Sequence, residues 1–142
     1  MPQRTLAKKL LATSAISTLI GARLRPGWLT DQDSLPAITY TKISDSAPGG
    51  SGGANNTRRC MVQVNCWAAT YIGAHALSDA IATAIDGTNG ANAWTDTTSN
   101  PAVSSCLYDG GGDIPTGEIP GQDIPYAYGV RRDYILWYFS NP

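Results

Sequence analysis

The chain has 142 residues, 15 of them Gly and 9 Pro, and carries 10 basic against 11 acidic side chains for a formal net charge of -1. That length holds one domain of ordinary size, and the balanced charge excludes a nucleic-acid binder that lives on phosphate attraction, which needs a basic surplus. Charged residues reach only 15% while apolar ones reach 42%, enough for a core, so wholesale disorder is excluded and the weakly charged surface suits a subunit that packs against others.

At the N-terminus, Arg4, Lys8 and Lys9 precede LLATSAISTLIGA and imitate a secretion signal. Thr13, Ser14, Ser17 and Thr18 interrupt the apolar run, and no small-x-small cleavage pattern follows before Arg23. Two short helices are expected instead. Leu6, Leu10 and Leu11 form the apolar stripe of the first; Ser14 caps a second that carries Ile16, Leu19 and Ile20 and ends at Gly21. No run of about 20 apolar residues is present, so no membrane-spanning helix is expected. Pro26-Gly27 then marks a turn.

PAITYTKIS, from Pro36 to Ser44, is β-rich and reads as a strand. The stretch of about 45–56, DSAPGGSGGANN, has almost nothing to bury and reads as a flexible loop. Thr57 to Ala68 is the strongest strand: Cys60, Val62, Val64 and Cys66 share one face, the dry one, while Met61, Gln63, Asn65 and Trp67 share the other. From Thr70 to Asp86 the period changes to helical, with Leu77, Ala80, Ile81 and Ala84 on one stripe and His75, Asp79, Ala82 and Asp86 opposite, and Gly87 as the stop. A strand at about Ala102–Tyr108 follows, then a second flexible loop of about 109–127, where repeated Gly and Pro forbid regular structure. GVRRDYILWYFS closes the chain as a strand in which Ile135, Trp137 and Phe139 share a face. The order helix-strand-strand-helix-strand-strand implies one α+β domain over residues 1–142, a small, mainly antiparallel four-stranded sheet with helices on one face.

The charge is uneven. Residues 1–42 hold six basic and two acidic groups, whereas Cys60 to Val130 holds no Lys or Arg and seven acids: Asp79, Asp86, Asp96, Asp109, Asp113, Glu118 and Asp123. Such polarity steers self-association or partner docking.

No residue pattern in the chain is suited to catalysis. Gly49-Gly50-Ser51-Gly52-Gly53 fits the nucleophile-elbow spacing, but the elbow needs a strained strand-to-helix turn and this pentapeptide lies in a low-complexity loop. His75 and Asp79, four apart on a helix, read as a surface pair with no nucleophile to activate. Cys60 and Cys66 stand about 20 Å apart along one strand, too far for a disulfide, and their valine neighbours raise rather than lower a thiol pKa. With three cysteines and one histidine there is no disulfide framework and no Cys/His zinc site, so free buried thiols in a reducing cytoplasm are expected. Asp109, Asp113 and Glu118 offer carboxylates for glycoside or calcium chemistry, but a Gly/Pro-rich loop holds none rigidly and the calcium-loop spacing is absent. Asn55-Asn56-Thr57 matches a glycosylation acceptor and without secretion has no consequence. No nucleotide-binding fingerprint appears, and no catalytic residue, cofactor site or metal site is assigned. Arg58-Arg59 and Arg131-Arg132 each open a strand, so one Arg of each pair is available to an interface or to a cross-strand ion pair.

The succession LLATSAISTLIGARLRPG, LPAITYTKIS, RRCMVQVNCWAAT, YIGAHALSDAIATAI and GVRRDYILWYFS resembles the tail-completion, or tail-terminator, proteins of long-tailed bacteriophages over about residues 5–140. The resemblance implies a structural virion protein, assembled in the host cytoplasm, whose homo-hexameric ring caps the tail tube. The implied partners are the major tail tube protein and the head–tail connector or stopper protein, with DNA only in transit, no membrane and no cofactor. Within that reading Asp109, Asp113, Glu118 and Asp123 line the channel or dock outward, and Arg58, Arg59, Arg131 and Arg132 serve interfaces. A neighbouring head–tail adaptor, stopper or tube subunit is the near alternative. A small hydrolase using the acidic loop or Ser51 is the distant one.

Overall fold

The computed structural model describes residues 2–27, 35–46, 57–86, 94–96, 98–99, 101–117 and 127–139. In chain order the elements are α1 (Pro2–Ala12), α2 (Ser14–Ile20), β1 (Leu24–Pro26), β2 (Ala37–Ser46), β3 (Thr57–Ala68), α3 (Tyr71–Ile85), β4 (Val103–Gly117) and β5 (Ala127–Phe139). The sheet has five strands, in the order β1-β2-β3-β5-β4. Four are antiparallel to their neighbours, as the alternating pattern implies; the fifth, β1, is a three-residue parallel addition to β2. The four-stranded expectation missed β1 because LRP is too short for any periodicity and ends in a Pro-Gly pair that reads as a turn. The turn itself is present: Gly27 adopts φ 78°.

Alternation in β3 builds the core. Cys60, Val62, Val64 and Cys66 are all fully buried, and their neighbours in β5 on the same face, Val130, Tyr134, Leu136 and Tyr138, are buried too. All three helices cover this face, contributing Leu6, Leu10, Ile16, Ile20, Ala74, Leu77, Ile81 and Ile85 to a single cluster. At about 25 cal/mol per Å² of apolar surface removed from water, this cluster is the main source of stability. In α3 the buried stripe is Ala74, Leu77, Ser78, Ile81 and Ile85, with Ala80 and Ala84 on its flank. Thr70 begins that helix by accepting a hydrogen bond from the Gly73 amide at 3.0 Å.

Several local expectations need correction. Thr13, not Ser14, holds the N-cap position of α2, and its hydroxyl donates instead to the Lys9 carbonyl at 2.8 Å. Leu11 and Leu19 are 41% and 40% exposed, so each N-terminal helix buries only two of its three stripe leucines or isoleucines. The largest difference is β4, which runs nine residues beyond Tyr108 into the stretch read as a loop. Its glycines permit that course: a Cβ on Gly111 would run into the backbone carbonyl of Arg131, so only glycine lets β4 approach β5 so closely there, and Gly110 takes φ 135°. The register breaks between Val103 and Ser105, Tyr108 and Gly110, and Ile114 and Gly117, and an edge strand with such breaks tolerates Pro115. The loop expectation for 45–56 gives way at Asp45 and Ser46, which belong to β2; its remainder, with Ser51 and the Asn55 acceptor, lies outside the described residues, as do Gly87, Glu118 and Asp123.

Candidate functional site

Alternation along β3 and β5 sorts the four arginines. Arg58 and Arg59, at the start of β3, are both exposed, and among the described residues their side chains enter no hydrogen bond or ion pair. Arg131 stands on the helix-free face, 3.9 Å from Asp133. Arg132 points to the helix-covered face. Its Nε donates to the buried Ser78 hydroxyl at 2.7 Å, its Nη2 to Asp79 at 3.3 Å, and its guanidinium lies 5.3 Å from the centre of the Tyr108 ring. One arginine of that pair therefore stays at the surface and the other ties α3 to β5 and β4.

The carboxylates separate likewise. Asp109 and Asp113 both lie in β4, not in a loop. Asp109 is exposed and, among the described residues, without a side-chain partner. Asp113 is held from α3: the Tyr71 hydroxyl donates to its Oδ2 at 3.0 Å, and His75 Nε2 lies 3.0 Å from Oδ1. The Tyr71 and His75 rings lie 4.4 Å apart between centroids, tilted by 53°. Bonding to Asp113 raises the Tyr71 hydroxyl above its ordinary value. The expected His75–Asp79 pair is thus replaced by two others, His75 with Asp113 and Asp79 with Arg132. Sequence reasoning missed Tyr71 and the His75–Asp113 contact, because 38 residues separate the partners and no local spacing announces them.

At the other end of the sheet, the Tyr138 hydroxyl donates to both oxygens of Asp45 at 2.8 Å, and Lys42 approaches the same carboxylate at 3.5 Å. Burial, then the Asp45 bond, pushes Tyr138 up to about 12. Near the start of β4, α1 is anchored by Thr5 Oγ1 to the Pro101 carbonyl and by Lys8 Nζ to Ser99 Oγ. An open cleft of about 550 Å³ lies there, lined by Arg4, Thr5, Lys8, Thr98 and Ser99. Asp96 beside it accepts four hydrogen bonds from Ser99 and Thr98, which hold its carboxyl down to about 2.

Nothing among these groups is arranged for turnover. All three cysteines are free and buried; burial pushes Cys60 up to about 11 and Cys66 up to about 12, and raises Cys106 as well. Inert thiols, not nucleophiles, result. Among the described residues no three His, Cys, Asp or Glu side chains converge as a metal site, and no described helix is long and apolar enough to cross a membrane.

Comparison with known proteins places this arrangement. The family model described as Tail completion protein gp17 matches residues 4–108, from the first helix through the opening half of β4. The chain belongs to the tail completion protein family. The fold agrees: a chain in the virion of a native gene transfer agent particle superposes with a TM-score of 0.62 at 9% identity, over 95% of this chain and 92% of that one. A search of the curated proteins finds no match. As a tail completion protein the chain is a structural component of the virion tail and not an enzyme.

Proposed function

We propose that six copies of this chain close into a ring that caps the tail tube at its full length and receives the connector of the DNA-filled head. One observation carries the ring: the sheet has two open edges on opposite sides. Among the described residues the outer edge of β4 is met only at Val103, by a bridge to Asp96, and on the other side β1 covers β2 only at Ile38–Tyr40, leaving Thr41–Ser46 open. The two edge strands run antiparallel to each other, so a copy set beside another continues the ladder. Such a contact joins two different surfaces, and contacts of that kind close into rings.

Family membership supports the place of that ring at the end of the tail, with the tube protein on one side and the connector or stopper on the other. Arg58 and Arg59, exposed and without a side-chain hydrogen bond or ion pair among the described residues, are the interface arginines of this reading. The carboxylates Asp109, Asp113, Glu118 and Asp123, repeated around the ring, form a negative collar that keeps DNA off the wall as it passes. Light scattering of the purified protein tests the ring: six subunits of 15.0 kDa give a particle of ~90 kDa with a central hole in electron micrographs. A monomer or dimer at every concentration, with or without tail tubes, overturns it.

A further inference from the structure

We propose that Tyr71, His75 and Asp113 form a clasp that fastens the glycine-rich half of β4 to α3 and so holds the outer edge of the sheet in the register that a neighbouring copy meets. The second half of this statement rests on the ring reading; the first stands without it.

The need for a clasp follows from β4 itself. Its first half packs Val103 and Cys106 into the core, both fully or almost fully buried. From Gly110 to Asp113 it contributes no buried side chain to the core: Gly110, Gly111 and Gly112 have none, Asp113 is exposed, and Ile114 after them is only half-buried. Glycine also costs more ordering entropy than any other residue. The ladder to β5 is interrupted at Tyr108/Gly110 and at Ile114/Gly117, so the intact run between the two breaks is only Gly110 to Ile114. Among the described residues the outer edge is bridged only at Val103, by Asp96, and not along the glycine-rich half. A segment of this kind, with few apolar contacts and exposed hydrogen bonds, opens locally at little cost.

Against that tendency, among the described residues, stands the side-chain attachment of Asp113. Both oxygens of Asp113 are engaged from α3, one by Tyr71 and one by His75, each at 3.0 Å. Tyr71 is ordered in turn by a tilted ring contact with His75 and by an edge-on contact with the Tyr128 ring of β5, 6.3 Å between centroids. Single exposed bonds of this type are worth little. Here two converge on one carboxylate from rings that are already packed on each other, so the ordering cost is shared, and the segment they restrain has little else holding it.

Amide exchange followed residue by residue tests the clasp, with Asp113→Ala and Tyr71→Phe as variants. Both residues are exposed, so neither substitution opens a core cavity, and Asp109→Ala is the control, an exposed carboxylate on the same strand with no side-chain partner among the described residues. Exchange over residues 110–117 should accelerate about 3- to 10-fold in either variant, with no further gain in the double variant, while β3 and the control stay unchanged. The subunit concentration needed for ring formation should rise in the same variants. Unchanged exchange, or independent effects of the two substitutions, overturns the clasp. Accelerated exchange with unaltered ring formation overturns its role at the edge. Should the wild type prove monomeric while the variants still exchange faster, the ring reading falls and the clasp stands.

Discussion

Each of the three thiols sits on the helix-covered face of the sheet, and burial holds every one of them protonated beyond its ordinary range. A raised value in the folded state means that the unfolded chain ionises first. The contribution is therefore fully present below about pH 9 and is lost as pH rises through the folded values, about 11 for Cys60 and about 12 for Cys66. Stability in urea should be flat between pH 7 and 8.5, then fall by up to about 1.4 kcal/mol per pH unit for each thiol still protonated only in the fold. Cys66→Ala should show a shallower alkaline decline than the wild type, whatever it costs at neutral pH; an identical slope would contradict the assignment. These residues were legible in advance, because the alternation C-x-V-x-V-x-C needs only a period of two to identify its dry face. Arg132 was legible in half: alternation sends it to the face opposite Arg131, but nothing local says that Ser78 and Asp79, more than fifty residues earlier, await it.

At the scale of elements, β3, β5 and α3 follow from periodicity, while β4 does not. Three successive glycines and Pro115 carry no apolar pattern, and turn chemistry alone predicts a loop. The close approach of β5 overrides it, since the backbone of Arg131 occupies the space where a side chain at position 111 would begin. Gly111→Ala must therefore push the two strands apart. A loss of about 1–3 kcal/mol, typical of overpacking, should appear as a lower urea midpoint, with exchange in β5 near Arg131 rising before that in β3. A neutral Gly111→Ala would mean that the two strands are not paired at that point. The β1 strand escaped notice for a different reason. Three residues are too few for a period, and β1 exists only because β2 offers an edge to pair with.

For the molecule as a whole, the charge asymmetry visible in composition meets the collar reading most directly. Asp113 is engaged by the clasp, so Asp109, Glu118 and Asp123 are the carboxylates to replace, as Asn, Gln and Asn. Tails carrying this triple variant should join to heads normally and deliver DNA poorly; unjoined heads and tails would assign the same carboxylates to outward docking, and normal infectivity would remove both roles. Composition also announced a weakly charged chain. Which surfaces it presents to others was not legible, because open edges are a property of strand order, and order is set by contacts far apart in sequence.

The three register breaks in β4 bear on a hazard of a different kind. A long, flat strand with an unpaired outer edge is a template on which further chains stack without limit, the starting point of cross-β fibres. Each break kinks the strand and increases its twist, and Asp109 and Asp113 place charge along it. An edge so shaped accepts a partner with matching curvature and refuses an indiscriminate one. A subunit that carries such an edge is thereby kept from stacking on its own kind without limit.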